Sequence, residues 1–210
     1  MRAGAALDLV ILVPGRDERE TLDGLLATRG LSLGVRTIDY DFATAPMRDS
    51  GCFHGAHRIL QPFCNRASRA LVLFDHFGSG RQDQEASLVE EDLRARLAVN
   101  GWDDRAEVVV IEPELEVWVW SRSPVVDEIL GWRDRQPSLQ EWLRARGAWP
   151  DGRDKPPSPK ASVAAALREA RIPRSPRIFR RLAERVSLAR CNDRAFHRLV
   201  SVLRTWFPAQ

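Results

Sequence analysis

Asp75-His76-Phe77-Gly78 follows directly on the apolar run Ala70-Leu71-Val72-Leu73-Phe74. That run reads as a buried strand, so Asp75 is a carboxylate at the strand's C-terminal end. In open α/β sheets this end is where ligands and metals bind, and the glycine lets the following loop turn close to it. Two further strands are expected to end nearby: Leu7 to Val13, closed by Pro14-Gly15, and Ala106 to Ile111, closed by Glu112-Pro113-Glu114-Leu115-Glu116. Three strand ends therefore converge on one site. Asp17 and Glu18 lie just past the first, and Glu114 and Glu116 just past the last. Glu114 and Glu116 stand two apart, which on a helix turns them away from each other; Glu116 is the one expected to face the site, with Glu114 serving the first turn. His76, beside Asp75, is a candidate general acid or base, because imidazole titrates near neutral pH.

Two other groups of residues could carry chemistry. Cys52, His54, His57 and Cys64 are of types that ligate zinc, but their spacing matches neither paired Cys-x-x-Cys nor a cysteine pair with a histidine pair. The reading is a half-buried histidine among core thiols. Arg177, Arg180, Arg181 and Arg185 share one face of a helix at i, i+3, i+4 spacing, with Arg174 just ahead of them. From Lys155 onward there are 13 Lys and Arg against three acids, while the chain as a whole carries only +3. The first 154 residues are therefore acidic. Such a basic tail suits nucleic acid, and docking on the acidic body accounts for it equally well. Gly78-Ser79-Gly80-Arg81 lacks the Gly-Lys-Ser/Thr ending of a phosphate loop and reads as a turn. The tryptophans at 118, 142 and 206 fall at helical core positions.

The elements that must position these residues alternate. A helix with an apolar face at Leu22, Leu25 and Leu26 is opened by Asp17 at capping-box spacing. Gly34 to Phe42 reads as the second strand, and a helix containing Ile59, Leu60 and Phe63 leads to the strand ending in Asp75. Gln82 to Val99 reads as a long helix with Leu88, Leu93 and Leu97 inward. The order β-α-β-α-β-α-β predicts an α/β fold: a mostly parallel sheet of βα units with the first, third and fourth strands as neighbours, followed by a basic helical part. The predicted organisation is an α/β domain over 1–148, a proline-rich linker or loop over 149–160, and basic helices over 161–210. These begin at Ser158-Pro159, continue as Arg177 to Arg190, and end in Asp193 to Phe207. Ser138 opens a shorter helix with a capping box. Hydrophobic content of 44% and charged content of 29% are globular values. No apolar run approaches a membrane span, no signal-like start is present, and three cysteines make no disulfide framework, so a cytoplasmic protein is expected.

The chain resembles a known family in several motifs taken in order: Gly51-Cys52, His57, Leu73-Phe74-Asp75-His76-Phe77-Gly78, Asn100-Gly101-Trp102, Pro113-Glu114-Leu115-Glu116-Val117-Trp118, Glu184-Arg185-Val186-Ser187-Leu188, and Arg190-Cys191-Asn192-Asp193 ahead of Phe196. They are similar to those of Toprim-like proteins in bacterial defence loci. Over almost the whole length they look like the small Toprim-like components of the methylation-associated anti-phage defence system. The resemblance implies a Toprim-type βα sheet and work on DNA beside a methyltransferase and other proteins of the same locus. Toprim enzymes hold Mg2+ with a glutamate after the first strand and an Asp-x-Asp after the third. Here the first strand ends Val13-Pro14-Gly15 and the third gives only Asp75. Magnesium needs several hard oxygens, so this loss argues against a standard nuclease. The leading expectation is a degenerate Toprim-like subunit that contacts DNA or regulates a partner, through Arg174, Arg177, Arg180, Arg181 and Arg185. The rival is a Mg2+-dependent nuclease rebuilt on Asp75, Glu114 or Glu116, and His76. A structural adaptor is the third.

Overall fold

The computed structural model describes residues 7–121, 123–187 and 191–209. Four strands, β1 (Leu7–Val13), β2 (Tyr40–Thr44), β3 (Ala67–Asp75) and β4 (Ala106–Ile111), form one parallel sheet in the order β2-β1-β3-β4. β1 and β3 are central. Their cores, Leu9 to Val13 and Ala70 to Phe74, are wholly buried, as strands covered on both faces must be. Successive side chains alternate between two cores. Leu9, Ile11, Val13, Leu71, Leu73, Val109 and Ile111 face one; Val10, Leu12, Val72, Phe74, Val108 and Val110 face the other.

The crossover helices divide between these faces. α1 (Arg16–Arg29) packs on the first face, whereas α2 (Arg48–Leu60) and α3 (Ala86–Leu97) pack on the second. The chain leaves β1 outward to β2 and returns past β1 to β3, so the strand order reverses between β1 and β3. That reversal opens a crevice at their C-terminal ends, the place where open α/β sheets take ligands.

The remaining helices, α4 (Pro124–Ile129), α5 (Leu139–Ala145), α6 (Pro159–Glu169), α7 (Pro176–Arg185) and α8 (Arg194–Trp206), share the first core with the sheet. Among the described residues, 161–187 and 191–209 thus build no core of their own. The proline-rich stretch is an ordered loop: Trp149 packs edge-on against Trp120 with centroids 5.4 Å apart, and Trp120 Nε1–H donates to the Pro159 carbonyl at 3.2 Å. Ser138 makes the capping box read from sequence.

Several boundaries differ from the sequence reading. α1 starts at Arg16 after Gly15, with no side-chain cap, so Asp17 is not the capping residue; its carboxylate faces Arg174 instead. The second strand is Tyr40–Thr44, because Leu31–Leu33 forms a 3-10 turn and Val35 bridges to Pro208 near the C-terminus. The helix read as Arg177 to Arg190 is α7, ending at Arg185; Leu188 and Arg190 of the family-like motifs lie outside the described residues.

The most informative departure is in α3. Leu88 is 53% exposed and Glu90, at 2%, takes the inward place. β4 is an edge strand, and its unpaired backbone groups need partners. Glu90 Oε1 accepts the Val110 N–H at 2.9 Å, while Arg194 and Arg198 of α8 donate to the carbonyls of Val110 and Val108, each at 2.9 Å. The same two arginines pair with the Glu90 carboxylate. The buried acid therefore closes the sheet edge, and its charge is met by α8.

Candidate functional site

Asp75 sits at the end of β3, 3% exposed. Its Oδ1 accepts the Leu115 N–H at 2.7 Å, and its own N–H donates to Asp49 Oδ1 at 2.9 Å. Asp49 reaches it from the first turn of α2, and Glu18 enters from the first turn of α1. The 3-10 turn Leu115–Trp118 buries Glu116 beside them. Four acids thus meet at the β1–β3 crevice. Burial pushes the Asp75 carboxyl well above the usual range, reinforced by the charges of Glu18, Asp49 and Glu116. Burial likewise raises Glu18 to about 7, with Asp49, Asp17 and Glu116 adding to it, and lifts Asp49. Each acid makes the next harder to ionise.

Two cations enter the same crevice. Arg174, in the segment between α6 and α7, donates to Glu116 Oε1 at 2.8 Å and to Asp17 Oδ2 at 2.6 Å. The Lys160 N–H, at the start of α6, donates to Glu114 Oε1 at 2.9 Å, with its ammonium 3.9 Å from Glu114 Oε2. Burial opposes the charge on Lys160, but Glu116, Asp75 and Glu114 outweigh it and hold its pKa above the ordinary lysine value. The resulting cleft encloses about 480 Å3 and is lined by residues 14–18, Arg48, Asp49, Asp75, Lys160 and Arg174.

The turn carrying Arg48 is conformationally costly. Met47 and Arg48 are both left-handed, at φ 66° and 55°, and each such non-glycine residue costs roughly 1–2 kcal/mol. Gly51 makes the turn feasible: a Cβ there would lie 1.7 Å from the Pro46 carbonyl oxygen. The strain is spent on placing Arg48 and Asp49 at the cleft.

The site residues read from sequence separate here. Asp75 and Glu116 come together, as does Glu18. Glu114, a proposed ligand, turns instead to the start of α6 and holds Lys160. His76 does not line the cleft; its Nε2–H donates to the Arg81 carbonyl at 3.0 Å, and Nδ1 lies 3.7 Å from Glu112. The backbone of His76 is tied into the next loop, where Ser79 Oγ donates to its carbonyl and accepts the Arg81 N–H. Its neighbourhood is therefore the 76–81 loop. Cys52 is core, and Cys64 Sγ faces the carbonyls of Leu60 and Asn100.

The arginine face divides as well. Arg174 is committed to the cleft, Arg180 pairs with Glu20, Asp23 and Glu184, and Arg185 pairs with Glu128 at 2.7 Å. These contacts dock α7 on α1 and α4. Arg177 and Arg181 remain exposed.

Magnesium, which the Toprim resemblance implies, does not fit the set Asp75, Glu114 and Glu116. One Asp75 oxygen is taken by a backbone N–H, Glu114 faces away, and Glu116 is bonded to a guanidinium. Among the described residues no group of three His, Cys, Asp or Glu converges as ligands of one ion. Glu116 Oε2 is buried without a partner, but its neighbour Oε1 already has a fixed cation.

Sequence reasoning missed Asp49, Lys160 and the cleft role of Arg174. Lys160 carried a faint signal as one of only two lysines among 32 basic residues. Asp49 lies between the second strand and the following helix of the sequence reading, two residues before the Gly51-Cys52 motif. Comparison of the chain with family models, curated proteins and solved structures finds no match. Among the described residues no helix is long and apolar enough to cross a membrane.

Proposed function

We propose that this chain is a degenerate Toprim-like, DNA-contacting subunit of a bacterial anti-phage defence complex, acting in the cytoplasm, whose sheet-end cleft holds a DNA phosphate without cutting it. The order of family-like motifs supports the defence role and the association with other proteins of the same locus. One observation carries the phosphate reading: four basic side chains line one cleft together with buried acids whose pKa values are raised. Arg16, Arg48, Lys160 and Arg174 line the cleft, whereas burial and neighbouring acids push the Asp75 carboxyl well above its usual range and Glu18 to about 7. Four basic and four acidic side chains line the cleft, and the raised acids lessen the negative charge that offsets its cations. The N-termini of α1 and α2, neither closed by a side-chain cap, add the positive ends of two helix dipoles.

Arg16 and Arg48 are exposed and, unlike Lys160 and Arg174, are not engaged by Glu114 or Glu116, so they can be changed without opening the core. Fluorescence anisotropy with a short duplex across salt concentrations should show that Arg16→Gln with Arg48→Gln weakens binding at least tenfold. The double variant should also lower the log–log salt slope by about 2, roughly 0.9 for each phosphate no longer neutralised. Unchanged affinity and slope in a folded variant would remove the cleft from DNA contact. The same samples incubated with Mg2+ or Mn2+ should leave the DNA intact. Metal-dependent cleavage that disappears in Asp75→Asn would establish the nuclease instead.

A further inference from the structure

Among the described residues Phe77 is the one exposed aromatic ring, at 67%, in a chain with eight phenylalanines and seven tryptophans. A lone apolar residue on a surface ordinarily means little. Phe77 differs in how it is held. Its N–H donates to the Pro113 carbonyl at 2.9 Å, and Gly78 turns at φ +96° directly against Asp49, whose Oδ2 lies 3.3 Å from where a Cβ would be. On its other side, Ser79 and His76 tie the loop to itself. The ring thus stands on a tied backbone, two residues from Asp75 and next to Gly78, which lies against Asp49 of the cleft that carries Arg16, Arg48, Lys160 and Arg174. Met47, 81% exposed, directly precedes Arg48 in the chain.

An exposed aromatic face on a tied backbone, close to a cleft lined by cations, matches the two halves of an unpaired nucleotide. The base stacks and the phosphate is bound electrostatically. A base pair inside a duplex offers no free face to such a ring. We infer that Phe77 is a stacking platform for an unpaired base, so that the cleft takes single-stranded DNA or a frayed or looped nucleotide in preference to intact duplex. The inference rests on the DNA-contacting reading above and specifies its substrate.

Anisotropy with a labelled single strand of about 12 nucleotides, within the span such single-strand sites cover, and the corresponding blunt duplex tests it. The parent should bind the single strand more tightly. Phe77→Ala should weaken single-strand binding by about 5- to 100-fold, the range for removing one base–aromatic stack, while its salt slope and duplex affinity stay at parent values. Phe77→Trp should restore binding. The ring is exposed, so the melting temperature of Phe77→Ala should match the parent's. An abasic nucleotide placed in turn along the strand should weaken the parent at one position and leave Phe77→Ala unaffected there. If the parent binds DNA but Phe77→Ala binds the single strand equally well, the stacking role fails and the DNA-contacting reading stands, with Phe77 left as a protein-docking residue. If the parent binds neither oligonucleotide, both fail.

Discussion

Arg174→Ala should destabilise the protein by about 1–3 kcal/mol in denaturant unfolding, less than breaking a fully buried ion pair because the Arg174 side chain is one-third exposed while Glu116 is buried. Glu116 dictates the size of this effect. Its side chain is 2% exposed, its Oε2 has no partner, and Oε1 is held by the Arg174 guanidinium. Without that guanidinium, Glu116 must either stay charged in an acid-rich pocket or take up a proton. The second step then distinguishes charge from packing. Glu116→Gln alone removes the charge but keeps an oxygen to accept from Arg174, so it should cost little. Arg174→Ala combined with Glu116→Gln should recover most of the stability. If the double variant is as unstable as Arg174→Ala, the arginine acts instead through its stem and its packing against the Phe179 ring, 5.2 Å away.

This pair also explains why the site was only partly legible in the sequence. The strands announced themselves, because a central parallel strand is buried on both faces and must be apolar throughout, as Leu9 to Val13 and Ala70 to Phe74 are. Asp75 was legible for the same reason: a carboxylate ending such a run has few structural uses. Of the two glutamates after β4, Glu116 is the one beside Asp75, on a 3-10 turn and not an α-helix. Partners distant in sequence were not legible. Helical spacing grouped Arg180 and Arg185 on one face, but nothing local indicates that Asp23 and Glu128 wait opposite. Periodicity put Leu88 inward, since hydropathy cannot anticipate a buried glutamate. Glu90 goes inside because β4 lacks a neighbouring strand and because two arginines more than a hundred residues later reach it. In the cleft, likewise, Lys160 and Arg174 come from the part of the chain that composition alone marked as a separate basic tail.

The cleft's acids should make stability fall as pH rises through neutrality, and Glu18 is the residue with which to isolate the effect. Burial and its acidic neighbours raise it from an ordinary 4.5 to about 7. Between these values the folded chain binds a proton that the unfolded chain has released. Its contribution is therefore fully present below about pH 4.5 and is lost as pH rises through 7. A displacement of this size corresponds to roughly 3 kcal/mol once both states are ionised. Glu18→Gln cannot ionise, so it should match the parent near pH 4.5 and exceed it by about 2–3 kcal/mol at pH 8. Carboxylates held below their usual range, such as Asp8, bend the parent's curve in the opposite sense and cancel in this comparison. Binding should follow the same protonation: phosphate affinity of the parent should drop as Glu18 gains charge between about pH 6 and 8, and that drop should be smaller in Glu18→Gln. Parallel stability curves for the two proteins would mean that Glu18 ionises like an exposed glutamate. The cleft would then carry Glu18 as a full negative charge at neutral pH, and the pH-dependent part of phosphate binding would lose its basis.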